Sequence, residues 1–304
     1  FFFFKQKTAY EIRNCDWSSD VCSSDLGNPD IGGSRASMGM MAAEVLGMDV
    51  KDVRTVVGDT TSVGFSFLTG GSRVTFATGM AVTQSAEMVR DELCKRAALL
   101  WEIPTEAVEW KDGKAYPAGE NAGKFDPLSV ADIAAKSART GGPITGKASI
   151  NAQGAGPGYA THICDLEVDE ETGHTTVLRY TAIQDVGKAI HPSYVEGQLQ
   201  GGAVQGIGWA LNEEYVYTKD GRLDNAGFLD YRIPVASDLP MIETILVEVP
   251  NPRHPFGVKG VGEPPIVPPM AAVANAMENA TGVRMGSLPM SPPRVRAALD
   301  AAKG

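Results

Sequence analysis

The sequence predicts a mixed fold of helices and strands divided into two lobes. Apolar residues recur at helical spacing in some segments and alternate as in strands in others. A glycine- and proline-rich seam, at residues 139–143 and 154–158, lies near the middle of the chain. With 304 residues, the chain is long enough for two lobes with cores of their own.

Composition excludes several classes of protein. The chain is 43% hydrophobic and 21% charged, with a net charge of −10. This acidic balance argues against nucleic acid or an anionic membrane surface as the main partner. No apolar run approaches the roughly 18 residues of a membrane span. Cys94 and Cys164 lie far apart and show no ligand spacing, so we expect no zinc ribbon, no iron–sulfur cluster in this chain, and a cytoplasmic location.

The first 26 residues differ in character from the rest. They begin with four phenylalanines and end in a cluster of Ser, Asp and Cys, and they resemble translated sequencing-adapter sequence. Their apolar residues precede the charged ones, which is the reverse of a signal peptide. We therefore expect residues 1–26 to be a non-native, disordered segment. On this interpretation the true N-terminus and any export signal lie upstream.

The first lobe is predicted to span residues 27–148. Apolar spacing, glycine stops and turn dipeptides define its elements. They are a helix at 34–46, a buried strand at 53–57, a long helix after the loop at 70–73, a hairpin at 108–116 and a short helix at 128–139.

The second lobe is predicted to span residues 149–304. Its glycines at 154, 156 and 158 lack the spacing of a dinucleotide-binding loop. The elements are paired strands at 161–168 and 175–186, a helix at 192–211, strands at 213–218 and 242–249, and a helix at 268–281.

One carboxylate stands out near the end of the chain. Glu263 lies in a run of glycine, valine and proline at 257–265 that offers few other reactive side chains. Gly260 and Gly262 allow close approach of backbone to a ligand, and Pro264 favours an extended Glu263. The segment fits a carboxylate fixed at the floor of a cavity; the alternative is a rigid loop with an exposed Glu.

Glycine also marks three further stretches. The helix at 192–211 carries five glycines at helical spacing, each costing about 1 kcal/mol relative to Ala. Either tight packing or a planar ligand explains them, with Gln198 and Gln205 available to bind its edges. The loops at 70–73 and 30–35 both lead into helices and suit phosphates, although ordinary glycine turns remain the alternative.

In this order, the segments resemble the C-terminal half of the molybdopterin-binding large subunit of the xanthine dehydrogenase / aldehyde oxidoreductase family. The resemblance covers nearly everything from Gly27 onward. Its strongest pieces are Gly197-Gln198 with 202–208, and Gly260-Val261-Gly262-Glu263-Pro264-Pro265. It implies an α+β fold, a two-lobed molybdenum-cofactor-binding domain of mixed sheets with packed helices.

The resemblance also implies an activity, namely oxidation of a C–H bond with water as the oxygen source. Glu263 would be the general base. The residues implied to contact the cofactor are Gly32, Gly33, Gly71, Ser72, Arg73, Gln198 and Gly262. The metal would be held through the pterin. Many relatives have Gly-Gln-Gly where this chain has Gly32-Gly33-Ser34, so one glutamine contact is absent or replaced.

The implied cofactor is molybdenum-molybdopterin, in the cytosine dinucleotide form. The 2Fe-2S clusters and FAD would lie on missing or partner subunits. Partners would be the N-terminal half of the same subunit, an iron–sulfur subunit, an FAD subunit and a small-molecule substrate. Relatives act on N-heterocycles, aldehydes, acyl thioesters and carbon monoxide, and the sequence does not choose among them. The alternative function is a non-catalytic phosphate- or nucleotide-binding module.

Overall fold

The structure, a computed structural model, describes residues 8–15, 22–58, 69–154 and 156–303, with the backbone alone for 8–15 and 22–25. These residues form two compact units. Unit 1 contains the chain up to Gly156 together with Pro250–Gly260, and unit 2 contains Pro157–Val249 and the chain from Val261. We predicted a boundary between residues 148 and 149. The chain divides later because Thr145–Ile150 is a strand of unit 1.

Unit 1 contains two sheets and the helices that pack on them. Its strands are β1 (Thr8–Cys15), β2 (Cys22–Leu26), β3 (Val53–Val57), β4 (Val108–Lys111), β5 (Lys114–Pro117), β6 (Leu128–Ser129) and β7 (Thr145–Ile150). Its helices are α1 (Ser34–Leu46), α2 (Gly79–Trp101), α3 (Val130–Ala134) and α4 (Ser137–Thr140). The sheet orders are β3-β2-β1-β7, which is mixed, and β4-β5-β6, which is antiparallel.

The core of unit 1 forms around α2. The helical stripe predicted from the sequence is buried at Val82, Ala86, Val89, Leu93 and Ala97. From Ala86 onward, this stripe belongs to a cluster with residues of α1, β5 and α3. The hairpin prediction is also confirmed, since β4 and β5 pair across a turn whose two residues both have positive φ.

Two predictions for unit 1 differ from the structure, while the prediction that residues 1–26 are a non-native segment stays a prediction. Within that segment, the backbone of β1 and β2 lies between β3 and β7 in the sheet. The strand β3, predicted to be buried, lies at the edge of that sheet and buries only Val53. The predicted helix at 128–139 is broken into β6, α3 and α4, because Ser129 accepts a hydrogen bond as the N-cap of α3.

Unit 2 contains a three-stranded sheet covered by helices. Its strands are β8 (Ala160–Val168), β9 (Thr175–Asp185) and β10 (Glu243–Val247), in the order β10-β9-β8. Its helices are α5 (Pro192–Leu211), α6 (Pro269–Thr281) and α7 (Pro292–Lys303). Tyr180 of β9, Ile207 of α5 and Met277 of α6 share its core. In the described part of the chain, no helix has the length and apolar character needed to cross a membrane.

Most predicted elements of unit 2 are confirmed, including α5 with the predicted bounds and α6 with its glycine stop at Gly282, φ 72°. The strand predicted at 213–218 is wrong. Only a single bridge, Tyr217 to Leu223, forms in that region. The reason is that Val216 donates its N–H to the side chain of Asn225, which closes a local loop in place of a ladder.

Candidate active site

The loop at 70–73 has an unusual backbone. Gly71 has φ 69° and Ser72 has φ 54°, which is rare for a residue with a side chain. The loop leads through one π-helical turn, Val74–Thr78, into α2. No described atom lies within 4 Å of the position that a Cβ on Gly71 would take. The left-handed turn at a helix start leaves room for an anion at the backbone of Gly71.

The threonine hydroxyls that follow the loop contribute little to it. Thr78 is buried and its hydroxyl donates to the side-chain oxygen of Asn28 at 3.2 Å. Thr75 is partly exposed. The structure therefore leaves the loop backbone with Ser72 and Arg73 as the stronger part of this candidate anion site.

In the second loop, at 30–35, the side chains bond to one another and to the loop's own backbone. Gly32 and Gly33 have φ 58° and 74°, and Gly33 is the N-cap of α1 without a side-chain hydrogen bond. The Arg35 guanidinium pairs with Asp30 at 3.3 Å, and Ser34 accepts from the N–H of Ile31. The charge of Arg35 is thus partly neutralised by Asp30, which weakens this loop as a phosphate site.

The helix α5 presents two kinds of glycine. A Cβ on Gly202 would lie 2.7 Å from Cβ of Pro265, and one on Gly206 would lie 2.7 Å from Cγ of Pro269. These glycines allow the segment after Glu263 to lie directly on the helix. Among the described residues, nothing comes within 4 Å of the equivalent positions on Gly197 and Gly201, both of which are exposed.

Gln198 lies beside the open glycines. It is half-buried on α5, one turn before Gly202, whereas Gln205 is exposed. The open face therefore combines a flat backbone surface with one amide that can donate and accept hydrogen bonds. Such a surface accommodates a planar ligand with polar edges.

Glu263 is exposed and has a helical backbone, with φ −95° and ψ −33°. The predicted extended conformation is wrong. Glu263 is the N-cap of a one-turn 3-10 helix, Pro264–Ile266, and its carbonyl accepts from the N–H of Ile266 at 3.2 Å. This turn overrides the preference that a following proline normally imposes.

Unit 2 thus brings two sequence motifs together. Pro265 lies two residues after Glu263 and packs on Gly202, which lies four residues after Gln198. The carboxylate motif and the glycine helix form one local structure. Gly262, which precedes the carboxylate, is exposed.

Gly260 has a different role from the one that its sequence position indicated. We predicted close approach of a ligand to its backbone. Instead, a Cβ there would lie 3.0 Å from both Cβ and the carbonyl oxygen of Ser72, within unit 1. Sequence reasoning missed this contact, because nothing in the run at 257–265 indicates which segment lies beneath it.

The other ionisable candidates have structural roles. Cys94 and Cys164 are free thiols, and burial raises the pKa of Cys164 to about 12. Burial lowers the pKa of His162 and of His254 to about 4, so both are neutral near pH 7. Within the described ranges, no three His, Cys, Asp or Glu side chains cluster closely enough to hold a metal ion.

Comparisons with known proteins identify the family of this chain. A family model described as the molybdopterin cofactor-binding domain matches residues 24–240. The xanthine dehydrogenase molybdenum-binding subunit of Escherichia coli O157:H7 is 32% identical over 290 residues, which cover 93% of this chain and 38% of that protein. The nicotine 6-hydroxylase large subunit of Paenarthrobacter nicotinovorans is 31% identical over 274 residues, covering 86% of this chain and 33% of that protein.

Solved structures give the same result. The crystal structure of quinoline 2-oxidoreductase from Pseudomonas putida 86 superposes with a TM-score of 0.84 and 26% identity, covering 97% of this chain and 38% of that one. The chain belongs to the molybdopterin cofactor-binding family of xanthine dehydrogenase and aldehyde oxidoreductase type. It spans between 33% and 38% of the length of these relatives.

Proposed function

We propose that this chain is the cofactor-binding, C-terminal part of the catalytic subunit of a molybdenum hydroxylase. The reaction converts R–H and water into R–OH, two protons and two electrons. When bound, the molybdenum cofactor accepts the two electrons and activates the oxygen. The observation that carries the proposal is the joint structure of Glu263 and the glycine helix, in which the segment directly after the carboxylate packs on Gly202 of α5, next to the open glycines.

Glu263 is assigned the role of general base. It takes the proton that the water-derived oxygen loses as the carbon–oxygen bond forms. The short helix Pro264–Ile266 and the packing of Pro265 on α5 restrict the backbone beside it. This restraint fixes where the side chain of Glu263 starts, and a well-positioned carboxylate is what general-base catalysis needs.

The remaining candidates would hold the cofactor. The open glycines Gly197 and Gly201 offer a flat surface for a pterin, and Gln198 offers hydrogen bonds to its edge. In unit 1, the backbone at Gly71, Ser72 and Arg73 would bind a phosphate group. The residues Gly32, Gly33 and Gly262 are proposed as weaker contacts, because their glycine backbone admits a ligand without supplying a side chain.

We also propose that the cofactor is in its cytosine dinucleotide form and that 2Fe-2S clusters and FAD lie on other parts of the complex. We propose a cytoplasmic location for that complex. The N-terminal half of the subunit would cover apolar side chains of unit 2 that are exposed in this chain, among them Phe228, Leu229 and Met241. Identifying the nucleotide released by acid hydrolysis and fractionating cells would test these assignments.

Substitution of Glu263 by Gln in the full-length enzyme tests the catalytic role. The amide keeps the shape of the side chain but cannot accept the proton. We expect kcat to fall about 10²–10⁴-fold, which is the usual contribution of a general base, at unchanged molybdenum content and thermal midpoint. Steady-state kinetics with elemental analysis measures both.

A matched control is Glu106→Gln, which neutralises an exposed carboxylate in the 3-10 turn Thr105–Ala107 and should leave turnover unchanged. Near-normal turnover of the Glu263 variant would remove Glu263 from the proposed role. Absence of molybdenum from the wild-type complex would favour the alternative, a non-catalytic phosphate- or nucleotide-binding module.

The substrate class is proposed from the relatives. Xanthine, nicotine and quinoline, which appear in the names of three relatives that match 86% or more of this chain, are nitrogen heterocycles, whereas other relatives are named carbon monoxide dehydrogenase and aldehyde oxidoreductase. We therefore propose an N-heterocycle oxidised at a carbon next to nitrogen. Turnover of an aldehyde panel with no turnover of any heterocycle would contradict this choice while leaving the hydroxylase proposal intact.

A further inference from the structure

Gln184 places an amide in the apolar core of unit 2. It follows Tyr180 and Ala182 at alternate positions of β9, on the face of the sheet that packs against α5 and α6. The residue is 1% exposed, and neither its amide nitrogen nor its amide oxygen has a hydrogen-bond partner among the described residues. A buried amide without partners costs free energy, so native proteins supply a partner from the chain or from ordered water.

His162 of β8 lies on the same face of the sheet. It is paired with Ala182, so Gln184 is its diagonal neighbour across the two strands, within reach of a long side chain. The Nδ1 atom of His162 shares a hydrogen bond of 2.9 Å with the hydroxyl of Tyr180. Its Nε2 atom is buried and has no partner among the described residues. Three polar atoms on neighbouring side chains of one buried face thus need a partner.

The sheet leaves room beside these two side chains. Ala182 is paired with His162 and Ala160 with Gln184, and each of the two alanines carries only a methyl group. The apolar core continues beyond the amide, at Val186, as a separate cluster. The polar atoms therefore lie between two apolar clusters of unit 2. A polar site with room and two to four partners is what a buried water needs.

The groups on this face are uncharged near pH 7. Burial lowers the pKa of His162 to about 4 and raises the pKa of Cys164, which is paired with Tyr180, to about 12. Burial also raises the pKa of Tyr180 above its ordinary value. These groups offer no counter-charge to a buried ion, so they favour a neutral ligand. Water can donate to or accept from either tautomer of His162 and both ends of the Gln184 amide.

We propose that unit 2 binds a buried water molecule between Nε2 of His162 and the amide of Gln184. The water completes a polar chain that runs from the hydroxyl of Tyr180 through the His162 ring to Gln184, and it joins the edge strand β8 to β9. A shift of β8 by one residue would turn His162 to the opposite face of the sheet. The water site therefore favours the observed register of β8, and it does so independently of the molybdenum chemistry.

A crystal structure of the full-length enzyme, at a resolution that shows ordered water, tests the site directly. We expect one water at hydrogen-bond distance, about 2.7–3.2 Å, from both Nε2 of His162 and an amide atom of Gln184. A direct hydrogen bond between the two side chains, another protein group in the place of the water, or no density there would overturn the proposal.

A double-mutant cycle in the full-length enzyme gives a readout in solution. Gln184→Met and His162→Phe should each speed amide hydrogen exchange in residues 160–168 by about fivefold or more, because each leaves a buried partner unsatisfied. The double variant should exchange more slowly than the two effects combined predict, since both changes act on one water. The lost hydrogen bond of Tyr180 cancels in the cycle, because it is missing from both variants that lack His162.

Gln84→Met is the matched control. Gln84 is exposed on α2 of unit 1, so this substitution should leave exchange in residues 160–168 unchanged. Slower exchange in Gln184→Met would mean that its removal relieves an unsatisfied amide. Independent effects in the double variant would mean that His162 and Gln184 share no ligand. Either result would overturn the water site while the hydroxylase proposal stands.

Discussion

The glycines of α5 divide into a packed set and an open set on a single helix. Gly202 and Gly206 lie against Pro265 and Pro269, whereas Gly197 and Gly201 meet no described atom within 4 Å. Both sets weaken the helix by about 1 kcal/mol per residue relative to Ala. On the packed set the loss is offset by close contact within the chain. On the open set nothing described offsets it, so a ligand or another part of the full-length protein is the expected compensation.

This contrast shows what a glycine pattern can and cannot indicate. The two explanations weighed for the sequence, tight packing and a planar ligand, are each supported at different positions of one helix. Spacing alone could not separate them, because residues four apart share a face whatever covers it. Whether a given glycine is packed or open depends on which other segment of the chain packs on that part of the helix, and this is a property of the tertiary fold.

The largest effect is expected on the packed set. Gly206→Leu places a side chain where a Cβ alone would already meet Cγ of Pro269 at 2.7 Å. We expect a loss of about 2–3 kcal/mol from overpacking, seen as a fall of about 5–10 °C in the thermal midpoint of the cofactor-free protein. An unchanged midpoint would mean that α6 does not pack on the helix as described.

A smaller and different effect is expected for Gly201→Leu. The substitution meets no described atom, so the thermal midpoint of the cofactor-free protein should be unchanged. If a pterin lies on this face, molybdenum content should fall at least tenfold, since the side chain occupies its place. Thermal denaturation and elemental analysis of the same preparation separate the outcomes. Full molybdenum in this variant would remove the cofactor from the open face.

The smallest effect is expected for Gly197→Ala. An exposed glycine inside a helix should gain about 0.5–1 kcal/mol on replacement by Ala, which corresponds to a rise of about 1–4 °C in the cofactor-free protein. A fall in the midpoint would indicate that protein covers Gly197. In that case the contrast between the two sets would no longer hold.

Local signals in the sequence predicted most of the elements. The apolar stripe of α2, the turn at Asp112-Gly113 and the glycine stops of α1 and α6 all act over a few residues. For that reason they can be identified without the rest of the chain. The C-terminal helix α7 was not predicted, although Pro292-Pro293 at its start is a helix-opening signal.

The predictions that failed depend on longer-range or competing interactions. Glu263 adopts a helical backbone because the turn at Pro264–Ile266 outweighs the pre-proline preference. The predicted strand at 213–218 is replaced by a loop held by Asn225, nine residues beyond Val216. The contact of Gly260 with Ser72 joins segments nearly two hundred residues apart, and no local pattern specifies such a pair.

At the candidate site, the sequence indicated which residues to examine but not their surroundings. Glu263, Gln198 and the loop at 70–73 were identified from residue type and resemblance. The packing of Pro265 on Gly202, which brings two of these motifs together, was not foreseen. Residue types limit the chemistry that is available, while the partners of each glycine depend on how distant segments meet.

The division of unit 1 into two stretches has a consequence for synthesis of the chain on the ribosome. Pro250–Gly260 completes unit 1 only after all of Pro157–Val249 has been made. At the usual rates of translation, this interval lasts roughly 5–20 s. During that time the start of α2 lacks the His254 ring that packs on Phe76 in the finished unit, so we expect the nascent first unit to leave this apolar surface exposed until Pro250–Gly260 is made.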